Sequence, residues 1–364
     1  MKVSLVDLSA QYIALEAELK AAFERVARSG RYVLGPEVEQ LETEIAALVG
    51  VRHAVGVSSG TDALLCAMLA LGVGPGDEVV TTPFTFFATI EAIVRTGATP
   101  RFVDIRPDTF NLDEMRVEAA IGPHTRLILP VHLFGIPADL EPLAKHGIPV
   151  LEDAAQALGA RYRGRCAGSV GRLAAFSFHP TKGLGALGDG GMITTDDAGL
   201  AERCRLLRSH GSPRKHQHTA IGGNFRLDAL QAALLRVKLP HLEAWLAARR
   251  SHAAAYTAAL SGIDGLVTPV VPPDVIASFA QYTLRVRDGR RNALAAALAA
   301  RGIECAVHYP EPAYRQPALL ALELAGSCPE AERAAGEVLS IPLYAELGAA
   351  QRDHVIAAVR AFFR

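Results

Sequence analysis

The stretch SFHPTKGLGALGDGG, residues 177–191, contains GLGALG, a literal match to the Gly-x-Gly-x-x-Gly fingerprint of dinucleotide-binding folds. A true fingerprint follows a strand, opens a helix and has an acid about 20 residues further on. Here a strand reading, FSF at 176–178, does precede, but His179, Pro180, Thr181 and Lys182 intervene. The chain then continues through GDGG into the β-branched run MITT, with no helix to offer its N-terminus to a pyrophosphate. The match is accidental. The lysine immediately before the glycines becomes the residue to explain.

Working outward, short apolar runs alternate with helical patterns. HAVGVS (53–58) precedes a helix from Thr61 to Leu71, and EVVTT (78–82) precedes one near 86–96. PRFVD (100–104) and RLILPVHL (126–133) are followed by helical stretches near 113–120 and 139–146, and IPVLED (148–153) closes the series. Such alternation predicts a mostly parallel sheet with helices on both faces, to which FSF and GGMITT add strands. Two amphipathic helices, 11–29 and 36–49, precede this region. Beyond residue 196 come a helix at 198–209, a polar loop at 209–224 and one long helical segment from Leu227 to about Leu260. PVVPPD (269–274) reads as a connector to a smaller α/β unit. The predicted division is 1–245, a large domain with an N-terminal helical segment, and 246–364, a small C-terminal domain.

Composition bounds the function. The chain has 364 residues, half of them hydrophobic, and a net charge of −1, which argues against a nucleic-acid surface. Five scattered cysteines without a Cys-x-x-Cys pair suggest neither a disulfide framework nor a metal site. The N-terminal stretch lacks a signal-peptide pattern, and no apolar run is long enough to span a bilayer, so a cytoplasmic protein is expected.

Three features converge on one chemistry. In VSSGTDALLCAML (57–69) a strand ends and a helix begins at Gly60–Thr61–Asp62, a natural anion site, although ordinary capping explains the same residues. EDAAQALGA (152–160) puts Glu152 and Asp153 at the end of an apolar strand, where ligands of open α/β sheets sit. Lys182 lies further on, in an irregular, glycine-rich segment. A lysine for a Schiff base, an acid for a pyridine nitrogen and a helix start for a phosphate are the parts of a pyridoxal phosphate site.

SGTDAL, EDAAQALGA, SFHPTK, GDGG and GGNFRLDALQAALLRVKL, together and in this order, resemble the DegT/DnrJ/EryC1/StrS family of nucleotide-sugar aminotransferases. The resemblance implies the fold type I, aspartate-aminotransferase-like architecture, a homodimer with shared sites, and pyridoxal 5'-phosphate as cofactor. It implies further that Lys182 binds the cofactor covalently, Asp153 pairs with its ring nitrogen, Gln156 meets its 3-hydroxyl and Phe86 stacks on its ring. A core position is the other reading of Phe86. Thr61, Ser177 and the Gly60–Asp62 backbone would hold the phosphate, joined by Asn224 from the second subunit. A related branch of sugar dehydrases has His where Lys182 stands. Gly183 and His179 depart from the commonest family residues.

For the substrate, the resemblance points to Arg226, His308 and Tyr309. The basic residues Arg214, Lys215, His216 and His218 either approach a nucleotide diphosphate or form a solvated loop. The expected reaction moves an amino group from an amino-acid donor, glutamate, to a nucleotide-linked keto-sugar, with C3 favoured over C4. A regulatory protein that binds the cofactor without turnover is the rival from another class.

Overall fold

A computed structural model describes residues 1–322, 324 and 327–364. Its centre is one sheet. The strands are β1 (His53–Val57), β2 (Glu78–Thr81), β3 (Thr99–Phe102), β4 (Thr125–Ile128), β5 (Leu151–Asp153), β6 (Leu173–Ser177) and β7 (Gly191–Thr195). Four of them pair in the order β1-β7-β6-β5 and three in the order β3-β2-β4. Parallel bridges from Ile128 to Val150 and from Val131 to Asp153 join the two ladders. The combined order is β1-β7-β6-β5-β4-β2-β3. Only β7 runs against its neighbours.

Period-2 patterning explains why the sheet is covered on both sides. Val55, Val79, Leu127, Leu151, Leu173, Ala175 and Ile193 face one layer, built on α3 (Gly60–Ala70), α4 (Phe87–Arg95) and α5 (Ala198–Leu207). The alternate residues Ala54, Ala174, Phe176 and Met192 face the other, with α2 (Pro36–Val49), α6 (Ala229–Lys238) and α7 (Leu242–Leu260). Each of those neighbours in sequence points the opposite way.

The helix expected from Leu227 to Leu260 is in fact two, α6 and α7, separated by a 3₁₀ turn over Leu239–His241. Pro240 lacks the N–H that a continuous helix would use there. The helical stretch expected near 113–120 is two 3₁₀ turns, Glu114–Arg116 and Glu118–Ala120, the first started by the Asp113 carboxylate accepting from Met115 N–H. The stretch near 139–146 shrinks to Glu141–Ala144. The leading helix α1 (Leu8–Ser29) starts earlier than its pattern suggested, because Asp7 caps the Ser9 and Ala10 N–H groups.

The second sheet has β8 (Leu266–Val267), β9 (Tyr282–Val286) and β10 (Val338–Ile341) in that order, all antiparallel. It packs with α8 (Arg291–Ala299) and α10 (Ala349–Phe363), with α9 (Pro329–Glu337) leading into β10. The long helix α7 serves both regions: Leu242 and Leu246 pack under the large sheet, and Ala253, Tyr256 and Leu260 under the small one. Val3, near the N-terminus, also packs with the small sheet. Among the described residues no helix is long and apolar enough to cross a membrane.

Candidate active site

The C-terminal ends of β1, β2, β5 and β6 and the segment after β6 enclose a cavity of about 500 Å³. Gly60, Thr61, Phe86, Asp153, Gln156, Ser177, Lys182, His308 and Tyr309 all line it. Residues scattered from position 60 to position 309 meet at one place.

At the start of α3, Ser59 is the cap: its side chain accepts from Asp62 N–H at 3.0 Å. The N–H groups of Gly60 and Thr61 precede that bond and carry no hydrogen bond to a described residue. Two open donors, the positive end of the helix and the Thr61 hydroxyl therefore face the cavity together, which suits an anion. Asp62 departs from the expected set. Its N–H belongs to Ser59 and its carboxylate accepts from Ser58 Oγ at 2.6 Å, so it stabilises the turn instead of facing the cavity. Close approach fixes the geometry: a Cβ at Gly60 would sit 2.7 Å from Ser177 Cβ. That contact is why only glycine fits where α3 meets the end of β6.

The two acids of EDAAQ diverge because adjacent residues on a strand face opposite sides. Glu152 is fully buried and accepts from the N–H groups of Gly168, Val170 and Gly171 at 2.7, 2.8 and 2.6 Å. His132 Nδ1 accepts from Ala138 N–H, which leaves Nε2 to donate to Glu152 at 2.8 Å. Burial pushes the Glu152 carboxyl up, but His132 and those backbone donors outweigh it and hold the group below the usual carboxylate range. Glu152 is architecture.

Asp153 is the acid that faces the cavity. Thr89 Oγ1 donates to its Oδ2 at 2.7 Å, Thr85 lies 2.8 Å behind Thr89, and Ala155 N–H donates to Oδ1 at 3.2 Å. Burial raises its carboxyl above the usual range, against the pull of Thr89 and the more distant charge of Lys182. Burial likewise lowers the Lys182 ammonium, opposed only in part by Asp153. Each group destabilises its own charge by being buried, and each offsets some of that cost for the other. An amine pushed toward its neutral form is the form that attacks a carbonyl. A buried carboxylate with one hydroxyl donor wants a cationic N–H. These residues fit pyridoxal phosphate.

Phe86 settles against the core reading. It is 59% exposed at the cavity wall, whereas Phe84 two residues earlier is fully buried. Gln156 is committed at both ends of its amide: Oε1 accepts from Phe134 N–H at 2.6 Å and Nε2 donates to Tyr309 Oη at 3.2 Å. His308 Nδ1 sits 2.9 Å from Ser340 Oγ, and burial, then the Lys182 charge, lower its imidazole. Asn224 and Arg226 are not in this cavity. They line a neighbouring depression that shares only Asp189 with it, and Arg226 Nε donates to Asn224 Oδ1 at 2.8 Å. The basic residues 214–216 and 218 are all exposed. Sequence reasoning missed Thr85, Thr89, Asp189 and Gln281. Thr89 had a faint signal, lying in the first turn of the helix that Phe86 opens.

With this geometry in place, the chain matches the DegT/DnrJ/EryC1/StrS aminotransferase family over residues 14–360. It belongs to that family. A dTDP-3-amino-3,4,6-trideoxy-alpha-D-glucose transaminase from Streptomyces venezuelae is 48% identical, over 99% of this chain and 96% of its own. A pleiotropic regulatory protein from Geobacillus stearothermophilus is also 48% identical, over 100% and 99%. Among solved structures, S. venezuelae DesV superposes with a TM-score of 0.97 at 48% identity, covering 100% of this chain and 99% of DesV. NtdA from Bacillus subtilis, solved with bound PMP, gives a TM-score of 0.92 at 28% identity, covering 100% and 85%. The protein is an aminotransferase of fold type I that uses pyridoxal phosphate.

Proposed function

We propose that this enzyme moves an amino group from L-glutamate to C3 of a nucleotide-linked keto-sugar. One observation carries the reading: the Lys182 amine, the Asp153 carboxylate and the open N-terminus of α3 line the same cavity. The sugar class rests on the kinship with the S. venezuelae transaminase.

The cofactor, when bound, supplies a carbonyl to carry the amino group and a ring to take up the electrons of the bond being broken. The rest is the chain's own work. Lys182 would hold the cofactor through its amine, and as a neutral amine it is the group that would move the proton at the substrate carbon. Asp153 keeps a proton on the ring nitrogen, and Thr89 keeps Asp153 aimed at it. Gly60 and Thr61 N–H groups, with the Thr61 and Ser177 hydroxyls, hold the phosphate. Phe86 would cover one face of the ring, and Gln156 would meet the 3-hydroxyl, both lining the same cavity. His308 and Tyr309 lie on the sugar side, and Asn224 and Arg226 serve the site of the partner in a homodimer. We read the chain as two domains, 1–245 and 246–364, and the enzyme as cytoplasmic.

The test is a panel of nucleotide-linked 3-keto and 4-keto sugars offered with glutamate. Amino-sugar formed from a 3-keto member is the expected result, and product only from 4-keto members would move the reaction to C4. The regulatory relative motivates a second reading, a protein that binds the cofactor without turnover. Glutamate alone separates the two, because the first half-reaction needs no sugar. It should shift the absorbance of the bound cofactor, and an unchanged spectrum with several amino donors favours the regulator.

A further inference from the structure

Among the described residues, three buried side-chain polar atoms have no hydrogen-bond partner: Glu114 Oε2, His252 Nδ1 and Gln281 Oε1. Of these residues, only Gln281 lines the Lys182 cavity. Buried polar atoms in native proteins are nearly always satisfied, so one left open in a cavity wall calls for a partner that the cavity will receive.

The mounting of Gln281 is rigid. On its N-terminal side, Ser278 N–H donates to Gly135 O and Ala280 N–H to Phe134 O, both at 2.9 Å. The buried Arg249 guanidinium donates to Phe279 O at 3.3 Å and Ala280 O at 3.4 Å. Gly135 lies so close that a Cβ there would come within 2.8 Å of Phe279 N and Ala280 N. On its C-terminal side begins β9, where Tyr282 is fully buried in the small core and its hydroxyl lies 2.8 Å from Thr257 Oγ1. Because strand neighbours alternate, anchoring Tyr282 inward turns Gln281 outward to the cavity. The backbone that carries the amide is thus tied on both sides.

We infer that Gln281 is a substrate-positioning residue whose side-chain amide oxygen accepts a hydrogen bond from a hydroxyl or N–H on the sugar ring carbon next to the keto carbon. This rests on the sugar reading proposed above. The amide oxygen suits a donor on the sugar, a hydroxyl or an acylamino N–H. Gln281 thereby helps to decide which neighbours of the keto carbon are tolerated.

The experiment uses the holoenzyme, a keto-sugar that the wild type aminates, and the analogue deoxygenated at the adjacent carbon. Q281L should lower kcat/KM for the full sugar about 10- to 100-fold, as expected for leaving a buried donor unpaired. It should cost the deoxy analogue less than about threefold. The rate at which glutamate alone shifts the cofactor absorbance should stay within about twofold, and calorimetry should show weaker binding of the amino-sugar product. Q281N, which withdraws the amide by one methylene, is the second variant, expected to lose roughly threefold or more on the full sugar only. Equal losses on both sugars, an equally slowed glutamate step, or variants indistinguishable from an active wild type overturn the assignment alone. A wild type inert toward every keto-sugar overturns the sugar reading and this assignment with it.

Discussion

At the scale of single residues, Lys182 and Asp153 form a pair whose charges are held against burial, and that has a measurable sign. Burial lowers the Lys182 ammonium from its ordinary value of 10.5, and Asp153 pulls it back up. In apoprotein, the reaction of Lys182 with a carbonyl or amine-specific reagent should rise with pH and level off at a midpoint below 10.5. Removing the carboxylate removes the attraction that favours the ammonium. Asp153→Asn should therefore move the midpoint further down, not up. Peptide mapping after labelling at several pH values reads both midpoints, and an upward shift contradicts the pairing. In the holoenzyme the same substitution should retain some cofactor but lose most turnover, on the order of 100-fold or more, since the ring nitrogen loses its partner. Lys182 and Asp153 were readable because SGTDAL, EDAAQALGA and SFHPTK occur together and in order, although each motif by itself is weak. Gln281 was not, because a glutamine before a strand has no meaning until the fold brings it beside Lys182.

At the scale of elements, the end of β5 is held by Glu152, which ties the strand to the 168–171 turn and to His132. Its carboxyl is depressed below the ordinary 4.5 in the folded chain. A depressed acid contributes stability that is fully present above its unfolded value and is lost as pH falls through the folded one. Glu152→Gln swaps an acceptor oxygen for an NH₂ group that faces backbone donors, so it should destabilise by about 3 kcal/mol at neutral pH. Denaturant unfolding from about pH 7 to about pH 3 checks this. The gap between wild type and variant should be widest near neutrality and narrow as pH falls through the ordinary carboxylate range, where the unfolded chain takes up protons before the depressed folded carboxyl does. A gap independent of pH means that the lost contact is steric. From the sequence, EDAAQ offered two acids with equal claims. Strand alternation separates them, but which face carries the ligand depends on α3 and α4, which are remote in the chain. The small elements misread for a related reason: 113–120 has helical composition, yet short segments take their form from local caps such as Asp113.

At the scale of the molecule, the alternation of strands and helices made the central sheet legible, while its strand order, with β1 returning beside β7, is a product of long-range pairing. The same scale holds the last prediction, that two chains complete each other's sites. Asn224 and Arg226 lie in a depression beside the Lys182 cavity, with Asp189 between them. Around these openings the chain exposes large apolar side chains, among them Phe86 in the cavity and Val33 in the depression. Ile221, in the loop that leads to Asn224, is 92% exposed. Such surface is costly to leave in water and cheap to bury against a second copy, and two-fold pairing is the commonest way to do so. If the loop reaches across the two-fold, an inactive Lys182→Ala chain and an impaired Asn224→Asp chain should rescue each other. Each hybrid dimer would hold one site with both residues intact and one with both altered. Mixing the two variants under conditions of subunit exchange should restore, at equal proportions, about a quarter of the wild-type rate, since half of the dimers are hybrids with one good site each. Native mass spectrometry of differently tagged chains counts the hybrids. Hybrids present without recovered activity, or a fully active monomer, would show that each chain serves its own site.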